Sequence, residues 1–145
     1  MKFLFMGIAV FILCGFVYVG PETEMLDIIN DKRAELGVTT LQKDWELARL
    51  ARYKTEEMQQ LGFMCHSSPA YGLPEDMLEM YNIPFKTLGT NVAMGQETAG
   101  DVVTAWLTSE AHRNILLCSN FTHAGTAKSY NEDGIAYWVI ILRNN

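Results

Sequence analysis

Two segments far apart in the chain carry the residue types that do chemistry: Cys65-His66-Ser67-Ser68-Pro69, and Glu110-Ala111-His112-Arg113-Asn114-Ile115-Leu116. Neutral imidazoles suit zinc or another borderline divalent ion, and a catalytic zinc typically takes three protein ligands with one position open. His66 and His112 supply two such donors, and Glu110 is the nearest acid in sequence. Side chains two apart on a helix do not share a face, so Glu110 joins His112 only through an irregular turn. Hydrolysis is the other chemistry: Ser67 or Ser109 as nucleophile, with His66 or His112 as its base. That machinery also needs an orienting acid and an oxyanion hole. Neither serine stands in a Gly-x-Ser-x-Gly elbow. Ser109 suits a helix cap, and Ser67, just before Ser68-Pro69, suits a turn. Cys65 beside His66 suggests a thiol nucleophile, yet neighbours in an extended segment point to opposite sides. Arg113 suits either an anion in a cleft or a surface carboxylate. His123, after Phe121-Thr122, reads as a structural histidine. Against all of these stands the simpler reading of two hydrogen-bonded histidines lining a cleft.

The elements that must position these residues are legible from spacing. Glu22 to Leu36 reads as a helix, with Met25, Ile28, Ile29, Lys32 and Leu36 at three-to-four spacing, early acids and Gly37 as its stop. Asp44 caps a second helix that ends at Leu61 before Gly62, and a turn from Phe63 to Gly72 then carries His66. A short helix comes next, near Pro74 to Tyr81. Leu88 to Met94 reads as a strand, in which Asn91, after Gly89-Thr90, is expected to hold a tight turn. Thr98-Ala99-Gly100-Asp101 resembles a capping box for a helix through Val102, Val103, Trp106 and Leu107. Ser109 caps a second short helix holding Glu110, His112 and Arg113. Two strands close the chain, Ala124 to Tyr130 and Ile135 to Leu142, joined by the hairpin signal Asn131-Glu132-Asp133-Gly134. Both faces of the last strand are apolar, which predicts cover on both sides. Trp45, Trp106 and Trp138 fall at periodic apolar positions and are expected in the core. The sum is an α+β chain, a three-layer α-β-α sandwich around a small antiparallel sheet.

The chain has 145 residues, enough for one domain. Its formal net charge is −6, and of its cations only Lys2 precedes Pro21. Clustered positive charge of the kind that grips phosphate backbones is absent, so no nucleic-acid partner is expected. Phe3 to Val19 is a run of 17 uncharged residues. As a helix it would span roughly 25 Å, just short of a hydrocarbon core. Ala-x-Ala is missing, Pro21 follows Gly20, and Leu13 before Cys14 argues against lipidation. Residues 1–20 are therefore expected to be an N-terminal hydrophobic helix, a membrane anchor or uncleaved signal. Lys2 would stay inside, with the domain at 21–145 on the extracytoplasmic side or secreted. Cys65 and Cys118 are open to two readings. A bridge would close a 54-residue loop and add ~4 kcal/mol on the chain-entropy estimate, whereas two buried free thiols are equally ordinary.

From Glu22 to Leu142 the chain resembles the CAP superfamily, the group of cysteine-rich secretory proteins, antigen 5 and plant pathogenesis-related proteins, and in particular its short bacterial members. The matching stretches are Leu47-Ala48-Arg49 to Met58, Gly62-Phe63 to His66-Ser67-Ser68-Pro69, and Gly89-Thr90-Asn91-Val92-Ala93. After them come Trp106-Leu107-Thr108-Ser109, His112-Arg113-Asn114-Ile115-Leu116, Gly125 and Tyr137-Trp138. The resemblance implies the α-β-α sandwich and a central cleft lined by two histidines and, in many members, two acids. His66 and His112 match the histidines. The first acid belongs to a Gly-Glu-Asn motif, and Thr90 stands in its place. The second has no clean counterpart, Ser109 being nearest.

These readings converge on an exported, membrane-anchored binding or scaffold module at the cell envelope, with no cofactor. Its cleft, lined by His66, His112, Ser67, Thr90, Ser109 and Arg113, would hold a small-molecule, lipid or peptide ligand. The alternative is a hydrolase of peptide or cell-wall substrates using His66, His112 and Glu110 with zinc or another divalent metal.

Overall fold

The computed structural model describes residues 18–145. Five helices and four strands run in the order α1 (Pro21–Glu35), β1 (Gln42–Lys43), α2 (Trp45–Leu61), α3 (Pro74–Met80), β2 (Thr87–Met94), α4 (Ala99–Thr108), α5 (Glu110–Leu116), β3 (His123–Tyr130) and β4 (Ala136–Asn144). The sheet order is β1-β3-β4-β2. β4 pairs antiparallel with both β3 and β2, as the hairpin signal implies. The sheet is nevertheless mixed rather than purely antiparallel, because Gln42–Lys43 adds a parallel edge on His123 and Ala124. Two polar residues carry no hydrophobic alternation, and alternation is the signal that marks a strand.

β4 decides the layering. Ala136, Trp138, Ile140 and Leu142 face a core shared with Met25, Ile29, Val102, Val103, Trp106 and Leu116 from α1, α4 and α5. Tyr137, Val139 and Ile141 face a second core built with Leu47, Leu50, Met58, Met77 and Leu78 from α2 and α3. Strand alternation thus divides one chain between two cores. α2 lies close on the sheet at Gly125, where a Cβ would stand 2.1 Å from the main-chain nitrogen of Ala48. No side chain fits there.

Charged groups tie the layers together. Asp44 Oδ1 accepts from the amides of Glu46 and Leu47, capping α2, while its Oδ2 receives Arg143 Nε at 2.8 Å. Arg33 on α1 is fully buried and its guanidinium donates to the carbonyls of Thr39, Leu116, Cys118 and Phe121. It rotates the α1 stripe away from the expected set: Met25, Leu26, Ile29 and Arg33 are buried, while Leu36 is 54% exposed.

Other expectations are corrected. Trp45 is 74% exposed, because as the first residue of α2 it precedes the turn that packs on the sheet. Ser109 occupies the N-cap position of α5, but its hydroxyl makes no capping bond. Asn91 lies mid-strand, not in a turn, with its side chain tying β2 to α5. Cys65 and Cys118 are free thiols: Cys65 packs on the α2–α3 side of the sheet and Cys118 on the opposite side, so the sheet separates them. Of the apolar run Phe3–Val19, all but Tyr18 and Val19 lies outside the described residues. Among those described, no helix is long and apolar enough to cross a membrane.

Candidate functional site

The loop that presents His66 is built by α2. Gly62 ends that helix at φ 76°, a left-handed conformation that glycine adopts freely, and sends the chain back across the helix. Glu57 then organises the returning loop. Its Oε1 receives the Ser68 hydroxyl at 2.5 Å and the Ala70 amide at 3.2 Å, and its Oε2 lies 3.3 Å from Lys54 Nζ. Ser68 Oγ in turn accepts from the amides of Ala70 and Tyr71. With its hydroxyl proton committed to a carboxylate and its oxygen to two amides, Ser68 is a turn former rather than a nucleophile. Lys54 is almost completely buried, and its ammonium also donates to Cys65 Sγ at 3.4 Å.

His66 Nδ1 lies 3.1 Å from Thr90 Oγ1. Where the family resemblance places a carboxylate, a neutral hydroxyl therefore meets the ring. Partial burial lowers the His66 pKa below its ordinary value, and the positive charges of His112 and Lys54 lower it further. The shift disfavours the protonated ring relative to a free histidine. A small hollow beside it is lined by the aliphatic Met77, Val92, Val139 and Ile141 together with Lys54, His66, Ser68 and Thr90.

His112 lines an adjoining hollow with Met64, Val92, Met94, Gln96, Trp106 and Ser109. Val92 belongs to both walls. Asn91 Nδ2 donates to the His112 carbonyl at 3.1 Å, and Trp106 Nε1 donates to the Val92 carbonyl at 3.2 Å. The side-chain oxygens of Asn91 and Gln96 are buried without a hydrogen-bond partner among the described residues. Native proteins leave few such atoms unsatisfied.

The sequence candidates thus sort into groups. Thr90 stands with His66, and Ser109 with His112. Ser67 and Glu110 are exposed and line neither hollow. Arg113 Nη1 donates to the Leu107 carbonyl at 3.1 Å, closing the end of α4. His123 Nδ1 sits 2.7 Å from Thr122 Oγ1 at the start of β3, away from both hollows. Lys54, Glu57 and Gln96 went unmarked in the sequence. Lys54 had a signal: it falls within the stripe of Leu47, Leu50, Ala51 and Met58, where a charge calls for a partner.

A metal can be tested against these donors. Two imidazoles and a hydroxyl offer no anionic ligand, and Thr90 already engages the His66 ring. Among the described residues no group of three or more His, Cys, Asp or Glu side chains is placed to hold an ion. The donor set does not fit a tightly held catalytic zinc.

A model of the cysteine-rich secretory protein family, CAP, matches residues 26–142. YkwD of Bacillus subtilis is 41% identical over 113 residues, covering 78% of this chain and 43% of that protein. The membrane protein YlbC of the same organism is 33% identical over 120 residues, covering 81% of this chain and 35% of that protein. The chain spans less than half the length of these curated relatives. Among solved structures, an extracellular SCP-domain protein from Bacillus anthracis superposes with a TM-score of 0.79 at 25% identity, covering 87% of this chain and 41% of that one.

Proposed function

The chain belongs to the CAP family, and from that premise we propose that it is an exported, membrane-anchored binding module of the cell envelope, whose cleft holds a ligand without turning it over. The observation that carries this reading is the His66–Thr90 contact. A general base is sustained by an acid that orients it and stabilises its protonated form. Here the ring's partner is an uncharged hydroxyl, and burial, with Lys54 nearby, opposes protonation. Such an imidazole is a good hydrogen-bonding group and a poor proton shuttle.

The two hollows suit a peptide-like ligand. The lining of the first, with Met77, Val139 and Ile141, is apolar and favours an aliphatic group over a charged one. A ligand carbonyl meets the exposed His66 ring. The location at the envelope draws support from the 17-residue apolar run, from the membrane protein YlbC and from the extracellular Bacillus anthracis relative.

Side-chain NMR of the histidines, titrated with N-acetyl-leucyl-alanine amide, tests the cleft. His66 and His112 should shift while His123 stays fixed. Unmoved His66 and His112 signals at millimolar peptide would remove the peptide reading.

The second reading is a divalent-metal-dependent hydrolase, for which the neighbouring hollows of His66 and His112, sharing Val92, offer two imidazole donors. Zinc calorimetry decides it, since uptake must disappear in His66→Ala.

A further inference from the structure

The chain is acidic, yet its exposed cations are not scattered. Among the described residues the exposed lysines and arginines are Lys43, Arg49, Arg52 and Lys86, and three of the four line one open hollow of about 750 Å³ between the start of α1, β1 and the first turns of α2. The groups there are held in place. Lys43 Nζ lies 4.3 Å from the centre of the Trp45 ring and donates to Thr23 Oγ1 at 3.3 Å. Arg52 reaches Glu22 at 4.0 Å, and Arg49 lies over the Tyr81 ring. Glu22 is the one acid lining the hollow, so its net charge is positive. At its rim stands Trp45, the exposed member of the three tryptophans, since Trp106 and Trp138 are buried.

The position in the chain identifies what this surface meets. The apolar run ends at Val19, three residues before Glu22, and Tyr18 is 86% exposed. A segment that enters a bilayer at that point brings Lys43, Arg49, Arg52 and Trp45 to the headgroup layer. Cations there gain from anionic lipid, and tryptophan and tyrosine favour the interface. We propose that this hollow docks the domain on the phosphate headgroups of an anionic membrane leaflet and so fixes its orientation on the anchor. The proposal rests on the anchored reading of Phe3–Val19, and its test separates the two.

The full chain is mixed with phosphatidylcholine vesicles, with or without a quarter of phosphatidylglycerol. Flotation reads membrane attachment, and acrylamide quenching of tryptophan reads Trp45. Attachment to both vesicle types, with Trp45 shielded and blue-shifted only when phosphatidylglycerol is present, is the expected result. Shielding should fade at 1 M salt, where the screening length is ~3 Å. Each of Lys43→Gln, Arg49→Gln and Arg52→Gln should weaken the docked state roughly fivefold. Equal Trp45 exposure on both vesicle types, with the protein afloat, overturns the docking surface and leaves the anchor intact. Flotation that requires phosphatidylglycerol, and is lost in the triple variant, removes the anchor and retains the headgroup site. Failure to float with either removes both. Equal protection of Trp45 by inorganic phosphate alone would reassign the hollow to a soluble anion and overturn the membrane assignment.

Discussion

Asn91 Nδ2 donates to the main-chain carbonyl of His112 at 3.1 Å, so the strand that carries Thr90 and the helix that carries His112 are joined by one side chain. Asn91 is fully buried, and this bond runs between elements 21 residues apart. It ties β2 to α5 at the residue that carries the second imidazole. Asn91→Ala should therefore cost about 0.5–1.5 kcal/mol, the net worth of one hydrogen bond, plus the loss of a buried side chain's packing. Urea denaturation measures the cost, and the His112 ring resonance should shift in the folded variant.

Thr90→Glu restores the carboxylate that the family pattern places beside His66. A negative charge in contact with the ring favours its protonated form, so the His66 pKa should rise from its lowered value. The same variant adds an anionic donor, and zinc calorimetry should show tighter uptake than in the parent chain. Thr90→Val should do neither. An unchanged His66 titration in Thr90→Glu would mean that position 90 does not control the ring.

The pH dependence of stability comes from the same shift. His66 binds its proton less readily in the folded chain than in the unfolded one, so acidification favours unfolding. Its contribution is intact above the ordinary histidine value near 6.5 and is lost as pH falls through that value toward the lowered one. On acidification through this window the parent should lose melting temperature relative to His66→Gln. A parent curve parallel to that of His66→Gln throughout would contradict the shift.

Much of this architecture could be read from the chain because single residues announce it. Asp44 and Gly62 mark both ends of α2, and the all-apolar β4 reveals a sheet covered on both sides. The chain order of short motifs located His66, His112 and the substituted Thr90. What stayed hidden depends on the third dimension. The two-residue β1 has no periodicity, Trp45 looked like core because a helix start shares the spacing of its interior, and the choice between a bridge and free thiols at Cys65 and Cys118 needed the sheet that lies between them. Glu57 was invisible for another reason: its role is to receive a loop that returns to it, and nothing local in the sequence records that return.

Arg33 shows the same limit in the core. Four carbonyls from three segments converge on a buried guanidinium with no carboxylate among its acceptors, and burial lowers its pKa. Arg33→Met removes the donors and leaves buried carbonyls unsatisfied, which should cost about 3 kcal/mol or more. Arg33→Lys should recover only a minor part, since an ammonium cannot reproduce the planar fork. Chemical denaturation of the three proteins checks both statements.

Binding without turnover in this cleft is checked by hydrolysis of casein and of peptidoglycan by the parent chain, measured beside His66→Ala. No release above background is expected from either protein on either substrate, with or without added zinc. Release by the parent chain that disappears in folded His66→Ala would contradict this reading, and would make His66 a catalytic base in spite of its threonine partner.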